Sequence, residues 1–248
     1  MTPSRTGDRP IQGTGMMADV LPSTTMAVEC FEDPVTDFEL APEEERVVGR
    51  AVGRRRREFT TARLCARRAL TRLGLPPTPV PAGPRGEPQW PRGVVGSITH
   101  CAGYRAAAVA RHTDQVAIGV DAEPNGPLPE GVLEVIALRE ERRLLTELAA
   151  RETPVHWDRA LFSAKEAVYK AWFPLAPQQL GFSDAALAFD PDRGTFSARL
   201  LRPGPLVHGE RLQRLSGRWL ARDGLILTAV TLHHHAAASP GPPPPAGA

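Results

Sequence analysis

Three short runs of this chain carry residue types suited to handling a phosphate. The first is Gly119-Val120-Asp121-Ala122-Glu123-Pro124, which reads as the end of a short buried strand. Side chains alternate along a strand, so Asp121 and Glu123 share a face. Two carboxylates that close repel unless a cation sits between them. An all-oxygen pair of this kind suits Mg²⁺, which keeps waters and binds substrate phosphates, with Mn²⁺ as the substitute ion. The plainer alternative is a pair of exposed acids leaving a strand at a turn.

The second run, Trp157 to Trp172, places apolar residues at Trp157, Leu161, Ala164, Val168, Ala171 and Trp172 in helical register and is ended by Pro174. On another face Glu166 and Lys170 stand one turn apart, with Lys165 to one side. Alone they are an ordinary helix-stabilising pair. Beside Asp121 and Glu123, Glu166 becomes a third carboxylate for one ion, and the lysines become ligands for the phosphates it holds. All but two of the 30 basic residues are arginine, and the exceptions are Lys165 and Lys170. A compact amine does what a planar guanidinium does not, either as a point donor or in moving a proton.

The third run is Ser97-Ile98-Thr99-His100-Cys101-Ala102-Gly103, where a strand ends in a hydroxyl and an imidazole able to donate to a phosphate oxygen. A structural histidine is the alternative. Upstream, Arg54 to Arg57 continue to Arg63, Arg67 and Arg68 on one helix. Arg55 and Arg63 lie about two turns apart, so a subset can face one phosphate with planar donor forks. The same arginines leave an RNA-binding module open as a reading, although no aromatic platform is interleaved with them. A metal-dependent phosphodiesterase or nuclease is a further use of the same acids.

The elements that must position these residues follow from pattern and punctuation. With 248 residues, 42% hydrophobic and 23% charged, the chain is long enough for one large or two small cores. The net charge of +2 is too small to mark nucleic acid or an anionic membrane as partner. Cys30, Cys65 and Cys101 have no metal-site or disulfide-framework spacing, which fits a reducing cytoplasm. No apolar run approaches the ~18 residues of a membrane span.

Residues 1–17 read as a disordered leader and 236–248 as a disordered Pro-rich tail, with His233 to His235 an exposed polar end beside it. Glu43 to Leu73 reads as one long helix. Strands are expected over 94–99, 104–111 and 116–120, and the prolines near 124–131 mark a linker. The second half repeats the plan, with helices near 132–151 and 156–173 and strands over 185–189, 195–201, 214–221 and 225–232. Helix then antiparallel strands, twice over, predicts an α+β protein of two similar subdomains, residues 18–123 and 132–235.

The runs GVDAEP, FSAKEAVYK, SITHCAG and RRRREFTTARLCARRAL stand in an order and spacing that resemble the Sfp-type 4′-phosphopantetheinyl transferases. RGEPQWP, SITHCAGYR, VHWDRALF and YKAWFPL make the likeness strongest to the actinobacterial PptT-like enzymes, over roughly residues 18–232. The resemblance implies a monomer of two pseudo-twofold-related α+β subdomains with coenzyme A between them. It implies Mg²⁺ held by Asp121, Glu123 and Glu166, and coenzyme A phosphates bound by Arg55, Arg63, Thr99 and His100. Lys165 and Lys170 would support the pyrophosphate and leaving group, and Arg85 would contact the nucleotide. The reaction implied is transfer of the phosphopantetheine arm to a serine of an acyl or peptidyl carrier protein of fatty acid, polyketide or nonribosomal peptide synthesis. Glu166, Lys170 and His100 would form its catalytic set, with Glu166 taking the serine proton. Neither nucleic acid nor membrane is expected as a partner.

Overall fold

A computed structural model of the chain describes residues 15–34, 38–49, 51–176 and 178–234. Most of the expected leader and all of the Pro-rich tail lie outside these residues. Met16 and Met17 do not belong to a loose leader. They form α1 (Met16–Asp19), and both are buried because they fill the space beside Tyr104, Val120 and Leu227. Glu29 fixes this entry by accepting from the Met16 and Met17 amides at 3.0 and 2.9 Å.

The N-terminal sheet has three strands in the order β1 (Met26–Phe31), β3 (Tyr104–Arg111), β2 (Val94–Cys101), all antiparallel. Its β3 is an alanine-rich run buried on both faces, between a long helix and the rest of the protein. The expected single helix over 43–73 is two: α2 (Pro42–Val48) and α3 (Gly53–Arg72). Gly49 disfavours helix continuation, and Val52 turns extended at φ −63°, ψ 154°. Glu44, fully buried on α2, then ties the pieces together. It ion-pairs with Arg67 of α3 and accepts the Ala41 amide at 2.9 Å and the Val80 amide at 2.8 Å.

The second sheet has five strands in the order β4 (Gln115–Pro124), β10 (Leu225–His233), β9 (Arg214–Arg222), β6 (Thr195–Leu200), β5 (Ala185–Asp190), again antiparallel. Between β4 and β5 come α4 (Val132–Ile136), α5 (Arg139–Ala149) and α6 (Trp157–Trp172). A small hairpin of β7 (Leu206–Val207) and β8 (Glu210–Arg211) precedes β9. Each sheet therefore carries one long helix, α3 on the first and α6 on the second, as the α+β reading expects. By its place in the sequence the strand bearing Asp121 and Glu123 falls in the first half, 18–123, but it pairs with β10 in the second sheet.

The two sheets meet along the free edge of β4. There the amides of Val120 and Ala122 donate to the hydroxyls of Ser97 and Thr99 on β2, each at 3.0 Å, so side chains replace the missing neighbouring strand. Asp121 is thus held at the seam between the sheets.

Candidate active site at the seam

Helix α6 packs directly on β4 because residue 119 is glycine. A Cβ there would stand 1.9 Å from the Ala167 carbonyl oxygen and 2.6 Å from the Ala171 nitrogen. The close approach brings the Glu166 and Lys170 face of the helix over the strand end. Lys170 Nζ lies 2.7 Å from Asp121 Oδ1 and 3.1 Å from the Val120 carbonyl oxygen. Thr99 donates to the same Asp121 oxygen at 3.2 Å. Two turns before Glu166, Arg159 reaches Glu123 Oε2 at 3.0 Å while bonding the Gly126 and Pro127 carbonyls.

The acids are under electrostatic pressure. Burial raises the Glu123 carboxyl above its ordinary value and the Asp121 charge adds to this, against Arg159. Burial likewise raises Glu166, with Lys170 opposing and Asp121 adding to the rise. Among the described residues no group of three or more His, Cys, Asp or Glu side chains is disposed to hold a metal. The expected triad is therefore not a ready-made cage: Lys170 and Arg159 supply the counter-charge that keeps Asp121 and Glu123 from repelling. The donor set still fits a hard divalent ion. It is all oxygen, and Asp121 Oδ2 is buried without a hydrogen-bond partner.

Beside the acids is a cavity of about 610 Å³ walled by Arg55, Phe59 and Arg63 of α3, Arg85 and Trp90, His100 of β2, and Glu166, Tyr169, Lys170 and Phe173 of the α6 side. Its size is that of a small-molecule site. The Arg63 guanidinium is 4% exposed, lies 4.2 Å over the Phe59 ring, and has no acid paired with it among the described residues. Its Nε makes no hydrogen bond, and burial lowers its pKa to about 10, partly offset by Glu44. A buried cation without an acid is costly, and an anion in the cavity relieves that cost. Arg85 is exposed and sits over Phe173 at 5.5 Å. His100 stands at the rim, held below its ordinary value by desolvation and then by Lys170.

Two expected phosphate ligands are used otherwise. Thr99, 1% exposed, spends its hydroxyl on Asp121 and on the Ala122 amide. Lys165 points away from the cavity and pairs with buried Glu141 at 2.9 Å. Of the arginine run, Arg67 turns inward to buried Glu44, whereas Arg54 to Arg57 stay exposed, with Arg56 paired to Glu45 at the surface. Arg159 was missed from the sequence, although its spacing of seven from Glu166 places it on the same helical face. The aromatic floor of Phe59, Trp90, Tyr169 and Phe173 was missed because its members come from three separate segments.

Comparison with known proteins gives this arrangement its class. The 4′-phosphopantetheinyl transferase N-terminal domain matches residues 43–110, and the 4′-phosphopantetheinyl transferase superfamily matches residues 117–223. Over 219 residues the chain is 56% identical to the 4′-phosphopantetheinyl transferase Svp of Streptomyces mobaraensis, covering 88% of this chain and 89% of that one. It is 47% identical to PptT of Mycobacterium tuberculosis, covering 88% and 98% of the two chains. It is also 47% identical to Npt of Nocardia iowensis, covering 87% and 99%. The chain belongs to the 4′-phosphopantetheinyl transferase superfamily and is an enzyme of that class, similar to its actinobacterial members. Among the described residues no helix is long and apolar enough to cross a membrane.

Proposed function

We propose that the enzyme moves the 4′-phosphopantetheine arm of coenzyme A onto a serine of an apo acyl or peptidyl carrier protein, using Mg²⁺ and releasing adenosine 3′,5′-bisphosphate. The observation that carries the reading is the buried, acid-free guanidinium of Arg63 in a cavity that also exposes Glu166 and Lys170. A diphosphate answers the positive wall, and the acids at the seam answer a divalent cation.

Arg63 and Arg55 neutralise the phosphates, and Arg85, next to Phe173, is suited to the nucleotide end. His100 at the rim stays neutral at ordinary pH and donates a single hydrogen bond. Asp121 and Glu123 would hold the metal, with Glu166 nearby; when bound, Mg²⁺ supplies positive charge for the diphosphate and for the departing oxygen. The serine oxygen forms its bond to the β-phosphorus as the bridging P–O bond breaks, and the serine proton passes to Glu166. A carboxyl raised by burial is suited to accept it. Lys170 donates toward the leaving phosphate from its place beside Asp121. Such transfers depend on positioning and charge neutralisation more than on covalent help.

The carriers proposed are those of fatty acid, polyketide and nonribosomal peptide synthesis, met by a monomer in the cytoplasm. Intact-mass measurement of several apo carriers after incubation with coenzyme A and Mg²⁺ tests the assignment. A gain of one phosphopantetheine on a serine is expected; no gain on any carrier would reject it.

A further inference from the structure

Lys165 sits next to Glu166 in the sequence, yet its side chain is 3% exposed and the carboxylate facing it is fully buried. The ammonium has three N–H donors and spends them on three acceptors: Glu141 at 2.9 Å, the Phe182 carbonyl at 2.6 Å and the Ala185 carbonyl at 3.2 Å. Glu141 is as fully committed. Its Oε2 also accepts the Leu138 amide at 2.7 Å, at the start of α5, and its Oε1 accepts the Leu187 amide of β5 at 2.8 Å. The network is closed, with no donor left over for a phosphate. It joins α5, α6 and β5 through one buried charge pair, on a side of α6 that does not line the cavity.

Successive residues of a helix point about 100° apart, so Lys165 and Glu166 look in different directions while Glu166, Lys170 and Arg159 share a face. Gly119 sets how near α6 lies to β4, but contact at a glycine does little to resist rotation of the helix about its axis. Lys165 resists it, because any turn of α6 would pull a buried ammonium from its acceptors.

We propose that Lys165 is a positioning residue and not a coenzyme A ligand: clamped by Glu141, it fixes the rotation of α6 so that Glu166 and Lys170 face Asp121. The inference rests on the transfer reading for its kinetic consequence, but the clamp itself has readouts independent of transfer.

The test is a double-mutant cycle of Lys165→Met and Glu141→Leu. Lys165→Met leaves Glu141 charged and buried, whereas the double variant buries no charge and keeps volume, at the cost of leaving the Leu138 and Leu187 amides without their carboxylate. For Lys165→Met, kcat for carrier labelling is expected to fall about tenfold or more, with coenzyme A affinity by calorimetry within about twofold of the parent. The double variant should unfold at a higher temperature than Lys165→Met, yet keep a kcat at least about fivefold below the parent because the clamp is gone; a double variant with the parent's kcat would overturn the proposal. If Lys165→Met does not fold, the double variant alone decides, since it lacks the lysine yet should bind coenzyme A normally. Coenzyme A binding weakened more than tenfold in the folded double variant would overturn the proposal and return Lys165 to the phosphate site. Absence of thermal coupling in the cycle would also overturn it. A parent enzyme that labels no carrier would reject the transfer reading instead, and the calorimetric and thermal arms would still judge the clamp.

Discussion

Lys170 Nζ stands 2.7 Å from Asp121 Oδ1, a contact between the last turns of α6 and the seam strand β4 that joins the proposed leaving-group donor to a proposed metal ligand. The ammonium also holds the Val120 carbonyl, so one side chain fastens helix, strand and carboxylate. Because Asp121 is buried and Lys170 partly exposed, the acid is fixed while the lysine end retains access to the cavity.

Asp121→Asn keeps the shape of the side chain and removes its charge. Transfer should fall by about two orders of magnitude or more, the scale of losing one preorganised electrostatic contact, and raising Mg²⁺ should not restore it. Magnesium titration of carrier labelling checks this. A titration curve matching the parent would remove Asp121 from the metal site.

Gly119→Ala places a methyl carbon where the Ala167 carbonyl already lies. The helix must retreat, and overpacking of this kind costs about 1–3 kcal/mol. For a chain of this size that is roughly 2–4 °C of Tm per kcal/mol. Transfer should fall along with Tm, because Glu166 and Lys170 move with the helix. Thermal unfolding and kcat measured together test the link, and an unchanged kcat at lowered Tm would break it.

Arg63→Ala should act mainly on ligand affinity. A charge-assisted hydrogen bond contributes about 1.5–3 kcal/mol, so coenzyme A binding should weaken by roughly ten- to a hundredfold. Isothermal calorimetry reads this directly. Since the guanidinium is a buried cation with no paired acid, the unliganded variant is expected to be no less stable than the parent.

His100 offers a titration test. Desolvation and Lys170 hold its pKa below 6.5, so the folded protein binds fewer protons there than the unfolded chain does. By linkage this part of the stability is present above the unfolded pKa and is lost as pH falls through the folded one. The His100 imidazole should therefore titrate below 6.5 by NMR, and Lys170→Met should raise its midpoint. A midpoint unmoved by Lys170→Met would show that the lysine charge does not act on the ring.

Much of the fold was legible because its signals are local. Alternation and turn residues gave six of the longer strands to within two residues of their ends; the seventh, expected over 116–120, runs Gln115–Pro124 and carries Asp121 and Glu123 inside it. The apolar register of Trp157–Trp172 gave α6. Local signals failed where a neighbour in space decides. The Met26–Phe31 strand lacks a strong alternating pattern and exists because β3 pairs with it. Met16 and Met17 look like part of a loose end until Tyr104 and Leu227 are placed beside them. The break between α2 and α3 comes where Val52 turns extended and Glu44 finds its partners on α3 and at Val80.

In the site, residue types were readable and directions were not. Asp121, Glu123, Glu166 and Lys170 can be picked from the sequence because acids two apart on a strand and a Glu–Lys pair one turn apart must share faces. That β4 joins the second sheet, that Gly119 admits α6, and that Thr99 serves Asp121 all depend on contacts between residues distant in the chain. Lys165 and Lys170 look interchangeable as letters in one helical run. Only the packing around the helix sends one ammonium into a closed ring of buried acceptors and leaves the other at the cavity, because a charge taken from water must find its partners wherever the fold has put them.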